Sequence, residues 1–212
     1  MDINLIIKDI KQSFRQMMDG ATAQSMRQKG VDYHLNWGAS LTMLRQKADE
    51  LKAEIQGTDE DFCHLAIALW KEDVRECKIL ATMLMPPAQF LPDLAQLWME
   101  QTPTVEMAEQ AAFNLYQYLP YAAELAFQWI AAADDLPQIC GYHILSRLFM
   151  QAQEPNERGI SEFIDQAIAA LHSPNLSLRK AAMLSLQRFS SMGLVYQRIA
   201  SSATRQAGFD FI

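Results

Sequence analysis

One phrase recurs along this chain, three times with a tryptophan near its start. Leu69-Trp70 opens LWKEDVRECKILATML, and Leu97-Trp98 opens LWMEQTPTVEMAEQAAFNLY. LAFQWIAAADDLPQICGYHILSRLF, from Leu125 to Phe149, echoes LAIALWKEDVRECKILATML. A looser copy, AIAALHSPNLSLRKAAMLSLQRF, runs from Ala167 to Phe189. Each copy reads as the end of one helix, a short polar turn and a second helix. One such pair cannot bury its apolar face alone, so units repeating every ~30–45 residues stack on their neighbours.

The spacing therefore predicts an all-α chain, a HEAT-like helical repeat solenoid of antiparallel helix pairs, with residues 1–212 as a single domain. No run of sustained apolar–polar alternation marks a strand. Punctuation along the chain predicts about ten to twelve helices. Ser40 and Thr104 are set as N-caps, Thr58 and Asp61 as a capping box, and Pro86-Pro87 as a firm stop. VDYHLNWGAS and QAQEPNERG read as loops.

With 50% apolar and 20% charged residues, the chain carries enough apolar surface for a sizeable core. No apolar run approaches the ~20 residues of a membrane span. The N-terminus lacks the basic start, apolar block and small-residue cleavage site of a secretory signal, so a cytoplasmic protein with no membrane partner is expected. The net charge of −7 is uneven. Asp49, Glu50, Glu54, Asp59, Glu60 and Asp61 crowd one segment against Lys52 alone. Between Asp165 and Asp210 there is no acid, only Arg179, Lys180, Arg188, Arg198 and Arg205. A phosphate-gripping protein needs a local positive face rather than a positive total, and this last stretch is the candidate.

The tests for familiar chemistry exclude more than they admit. There is no glycine-rich phosphate loop, no H-E-x-x-H and no CxxC pair, so no metal or cofactor is called for. Cys63, Cys77 and Cys140 sit in apolar helical phrases and read as small hydrophobes. His64 and His143, in similar phrases, read as packed or hydrogen-bonded. Glu106 and Glu109, at i,i+3, are placed for acid–base work or simply for a solvated helix start. Trp70, Trp98 and Trp129 hold equivalent late-helix positions, which favours packing between successive pairs. Trp37, in a loop, is the better candidate for an exposed or functional aromatic, or else plugs one end of the repeat array.

The segments NWGASLTMLRQKADELK (Asn36 to Lys52), LAIALWKEDVRECKILATML (with Glu76 and Ala81) and SLRKAAMLSLQRF (Ser177 to Phe189) resemble the bacterial DNA alkylation repair family. Its members are HEAT-like DNA glycosylases that remove alkylated bases. The similarity runs from about Tyr33 onward. It implies that active relatives carry a tryptophan where this chain has Glu106 and an aspartate where it has Gln110. It also implies an arginine in place of Cys140 and a second tryptophan in place of Leu184. A slip of one residue brings Glu109 into the aspartate's role.

A carboxylate offsets the sugar cation that develops as a charged base departs, whereas a neutral amide does not. The expected function is therefore DNA binding with weak or absent base excision. Glu109, Glu106 and Gln110 are the candidate catalytic positions. Arg179, Lys180, Arg188, Arg205 and Trp37 are the candidate contacts to double-stranded DNA. The alternative is a non-catalytic HEAT-like scaffold for a protein partner.

Overall fold

The computed structural model describes residues 2–209; Asp210, which ends the acid-free stretch, lies outside them. Twelve α-helices and two 3₁₀ turns are present among the described residues, with no strand. The backbone meets in a single isolated bridge, Leu35 with Val74. The chain is an all-α, HEAT-like helical repeat fold. Its contacts divide at Pro120/Tyr121 into two compact units.

The first unit holds α1 (Ile3–Gln16), α2 (Gly20–Gln28), α3 (Leu41–Glu54), α4 (Asp59–Lys71), α5 (Arg75–Leu84), α6 (Pro92–Glu100) and α7 (Val105–Asn114). The caps fall where residue chemistry places them. Ser40 and Thr104 accept from the backbone N–H groups of Met43 and Met107, and Thr58 and Asp61 form a reciprocal capping box. The helix that Thr104 caps, α7, ends at Asn114 and is followed by a 3₁₀ turn at Tyr116–Tyr118. Leu115 separates the two at φ −131°, ψ −60°.

α4 pairs with α5, and α5 lies between α3 and α7. The repeated tryptophans explain the stacking. Trp70 of α4 and Trp98 of α6 lie face to face, ring centroids 4.1 Å apart and 3° from parallel, and Phe90 meets Trp98 edge-on at 4.9 Å. Lys78 closes the end of α4, its Nζ donating to the Trp70 carbonyl at 3.0 Å while lying 4.6 Å over the Trp70 ring.

The second unit holds α8 (Ala122–Ile130), α9 (Asp135–Met150), α10 (Glu157–Leu171), α11 (Leu176–Ser190) and α12 (Leu194–Gln206). α8 pairs with α9 and α10 with α11, and α9 packs on α11. Phe149, Phe163 and Phe189 form a closed aromatic triangle with centroids 5.0, 5.4 and 5.2 Å apart. Gly141 lets α9 approach α8, since a Cβ there would lie 2.9 Å from the Ala126 carbonyl oxygen. α10 begins inside the segment read as a loop, because the Asn156 side chain accepts from the Gly159 N–H and starts the helix one turn early. Trp129 is buried like its two counterparts.

The loop between α2 and α3 turns on Gly38, whose φ is +79°. A Cβ there would stand 2.2 Å from the Asp19 carbonyl oxygen. Gly38→Ala is expected to destabilise the fold through left-handed backbone strain of about 1–3 kcal/mol, plus the clash. In a chain of this size each kcal/mol lowers the melting temperature by about 2–4 °C, which thermal unfolding by circular dichroism resolves.

Candidate functional site

Residue 106 enters the site through helix α7. Thr104 caps α7, so Glu106 falls in its first turn, where the partial positive charge of the helix N-terminus favours a carboxylate. Gln110, Phe113 and Asn114 follow at the i+4, i+7 and i+8 positions and share its face. That face lies along α5. The Arg75 guanidinium grips Glu106 with two N–H groups, Nε to Oε2 at 2.9 Å and Nη2 to Oε1 at 2.7 Å. Further along, the Asn114 amide donates to Thr82 Oγ1 at 3.0 Å. α5 and α7 therefore run in the same direction, as second helices of successive repeats do.

Tyr33 completes the cluster from the loop before α3. Its phenol donates to Glu106 Oε2 at 2.9 Å and accepts from Thr104 Oγ1 at 2.9 Å. Arg75 is 3% exposed and Glu76 fully buried. Arg75 Nη1 also donates to the Ala39 carbonyl at 2.8 Å and reaches Glu76 Oε1 at 3.3 Å. Glu76 accepts the backbone N–H groups of Trp37 and Ala39, each at 3.2 Å. Burial and then the Glu106 charge push the Tyr33 phenol far above its ordinary range, so it stays a donor. Burial works against the Arg75 charge, but the hydrogen bonds and charge of Glu106 outweigh it and raise the guanidinium's pKa.

This geometry decides what the candidate carboxylates offer. Both Glu106 oxygens already accept donors from Arg75, so its charge is neutralised by a guanidinium. Glu109 is exposed on the outer side of α7, away from the cluster. Gln110 is 8% exposed, and its Oε1 has no hydrogen-bond partner among the described residues. Trp37, expected as an exposed or functional aromatic, is 5% exposed. Its ring lies 6.2 Å from Phe14, with the Arg15 guanidinium 5.9 Å away. Its backbone N–H is committed to Glu76, which fixes the loop at this point. His64 is exposed rather than packed, because it lies on the outer face of α4.

Beyond Asn114, α3, α5 and α7 border an open groove of about 290 Å³. The Arg45 guanidinium lies 5.1 Å over the Phe113 ring at its edge. Lys52 and Asp49 stand on the α3 side.

In the second unit, Cys140 is completely buried, which pushes its thiol far up, and Leu184 is half-buried. Burial also raises Cys77, to about 12, so neither sulfur is poised as a nucleophile. Among the described residues no three His, Cys, Asp or Glu side chains gather to hold a metal. No described helix is long and apolar enough to cross a membrane.

The basic residues are not all brought together. Arg179 and Arg188 lie nine positions apart on α11, half a turn around the helix, and face opposite ways. Arg179 Nη1 is partly spent on the carbonyls of Ser173 and Pro174, at 2.7 and 3.2 Å. Lys180 is exposed. Arg198 and Arg205, seven positions apart, share one exposed face of α12 with Ser201 and Ser202. Arg198 belongs to that face on helical period alone, so the sequence signal was present and went unused.

The model of the family described as DNA alkylation repair enzyme matches residues 10–201. The chain belongs to that family. No curated protein matches it. Among solved structures it is similar to one described as "a new family of proteins related to the HEAT-like repeat DNA glycosylases with affinity for branched DNA structures". The TM-score is 0.79 at 16% identity, with 94% of this chain and 82% of that chain covered, a likeness of fold. Within the DNA alkylation repair family, this chain carries a part-buried Glu106–Arg75 ion pair and a neutral Gln110 on the mid-chain helix.

Arg75→Met is expected to cost about 3–5 kcal/mol, because it leaves the buried Glu76 and the half-buried Glu106 without their cation. Equilibrium urea unfolding measures the loss, and adding Glu106→Gln is expected to recover part of it. Tyr33 makes a second, pH-dependent contribution. A phenol whose pKa is raised by folding stabilises in full below the unfolded value of 10.0 and loses that stabilisation as pH rises through the folded value. Tyr33→Phe is expected to flatten the alkaline fall in stability above pH 10.0, measured against wild type in the same buffers.

Proposed function

We propose that this protein binds DNA through phosphate contacts and excises alkylated bases weakly or not at all. One observation carries the catalytic half of this reading. On α7, the helix that the family resemblance sets against the active-site segment of active relatives, the Glu106 carboxylate is neutralised by Arg75, and Gln110 can hydrogen-bond a sugar but cannot offset a full positive charge. Family membership and the acid-free run from residue 166 to 209 support the binding half. The resemblance to a protein with affinity for branched DNA makes a junction the substrate to test beside linear duplex.

The phosphate contacts are assigned to Arg198 and Arg205 on the exposed face of α12, together with the exposed Lys180 and Arg188 of α11. Binding of this kind falls steeply with salt, because each neutralised phosphate releases counterions.

Arg198→Glu with Arg205→Glu is expected to weaken binding to a labelled four-way junction by at least about tenfold, roughly 1.4 kcal/mol, at low salt. Gel shift or fluorescence anisotropy reads it. Failure of the wild type to bind junction or duplex at low salt would remove the DNA reading and leave the protein-scaffold reading in front. Wild type is also expected to release no 7-methylguanine or 3-methyladenine from methylated duplex above the spontaneous rate. Robust release that disappears in Glu109→Gln would assign the carboxylate's role to Glu109.

A further inference from the structure

A second groove, of about 470 Å³, opens in the first unit beside the end of α5. Its floor is apolar and adaptable: Phe62, Met83, Pro86 and Pro87, with Tyr118 at the side, 56% exposed. Methionine and aromatic surfaces of this kind take up anchor side chains of varied shape. The corner from α3 to α4 beside it is strongly acidic. Between Lys52 and Lys71 the sequence has Glu54, Asp59, Glu60 and Asp61 and no lysine or arginine.

Asp59 lines the groove itself. Hydrogen bonds from the Thr58 backbone N–H and hydroxyl lower the pKa of Asp61, holding it anionic. α5 ends at Leu84 in the groove wall, so the partial negative charge of its C-terminus adds to the same field. Lys52 is the one lysine or arginine in the lining among the described residues. Such a field repels a phosphate backbone and attracts a cation.

We propose that this groove is a docking site for a basic peptide segment of a protein partner. One apolar side chain would seat against Phe62, Met83 and Tyr118, and flanking lysines or arginines would meet Asp59, Glu60 and Glu54. The proposal is independent of the DNA reading, since its residues are distinct from the arginines of α11 and α12.

The test is a synthetic peptide array probed with the full-length protein. Peptides carry a Phe, Leu or Met anchor flanked by zero to four arginines, by glutamates in the same places, or by arginines with no anchor. Retention is expected to rise with the number of arginines, to need the anchor and to vanish with glutamate. Asp59→Lys with Glu60→Lys is expected to reduce it at least tenfold, and Tyr118→Ala to weaken it several-fold. Both variants are required to keep the wild-type melting temperature. Asp59→Asn with Glu60→Gln serves as the milder pair if the reversal disturbs the start of α4.

The proposal is overturned by no retention of any anchored basic peptide, by retention that ignores charge sign or anchor, or by retention unchanged in folded variants. Competition by a single-stranded oligonucleotide that the Tyr118 variant abolishes would also overturn it, because it would make the groove a nucleic-acid site. Loss of junction binding in the α12 variant with peptide retention intact would separate the two surfaces.

Discussion

Arg75 holds the first unit together because it sits, almost wholly buried, between two carboxylates. Desolvating each of those ions costs several kcal/mol, so the arrangement survives only if nearly every donor and acceptor is used. The fold meets that demand with backbone. The Arg75 N–H donates to the Leu35 carbonyl at 2.9 Å, its side chain reaches the Ala39 carbonyl, and Glu76 collects the Trp37 and Ala39 amides. The loop before α3 is thereby fixed to the start of α5, and Glu106 fixes α7 to the same point. Gly38 sits inside this loop because the turn that presents both flanking amides to one carboxylate needs a left-handed residue with no Cβ.

The same network shapes the chemistry. A carboxylate that neutralises a buried guanidinium is no longer free to stabilise a cation on a substrate. Glu106 is committed to architecture at the position where a catalytic surface is expected. Gln110, one turn on, brings a dipole instead of a charge. Two stretches of the surface differ in charge: an acidic corner at α3–α4 beside an apolar groove, and an acid-free C-terminal stretch with Arg198 and Arg205 on one face of α12.

Much of this was legible in the residues, and what was missed has physical causes. The repeated Leu-Trp phrase marked the helix pairs, and the Trp70–Trp98 stack is its direct expression in packing. Thr58 with Asp61, Ser40 and Thr104 announced their own helices, because capping is a contact within three residues. Asn156 is the instructive miss. A proline, a glycine and six polar residues read as a loop, yet one side chain reaching Gly159 was enough to start α10. The opposed directions of Arg179 and Arg188 followed from the 3.6-residue period and needed no structure.

Sequence by itself determined the all-α class, the repeat, the caps and the family likeness, all of which depend on local periodicity or on residue order. Only the tertiary structure decided the fate of the charged residues. Tyr33, Arg75 and Glu106 are separated by 31 to 73 positions along the chain and meet because α5, α7 and the loop before α3 converge. Nothing local distinguishes Glu106 in that ion pair from a solvated first-turn glutamate, or Trp37 in the core from an aromatic at a loop tip. A charge's burial is set by what packs over it, and that is a property of the assembled helices rather than of any one of them.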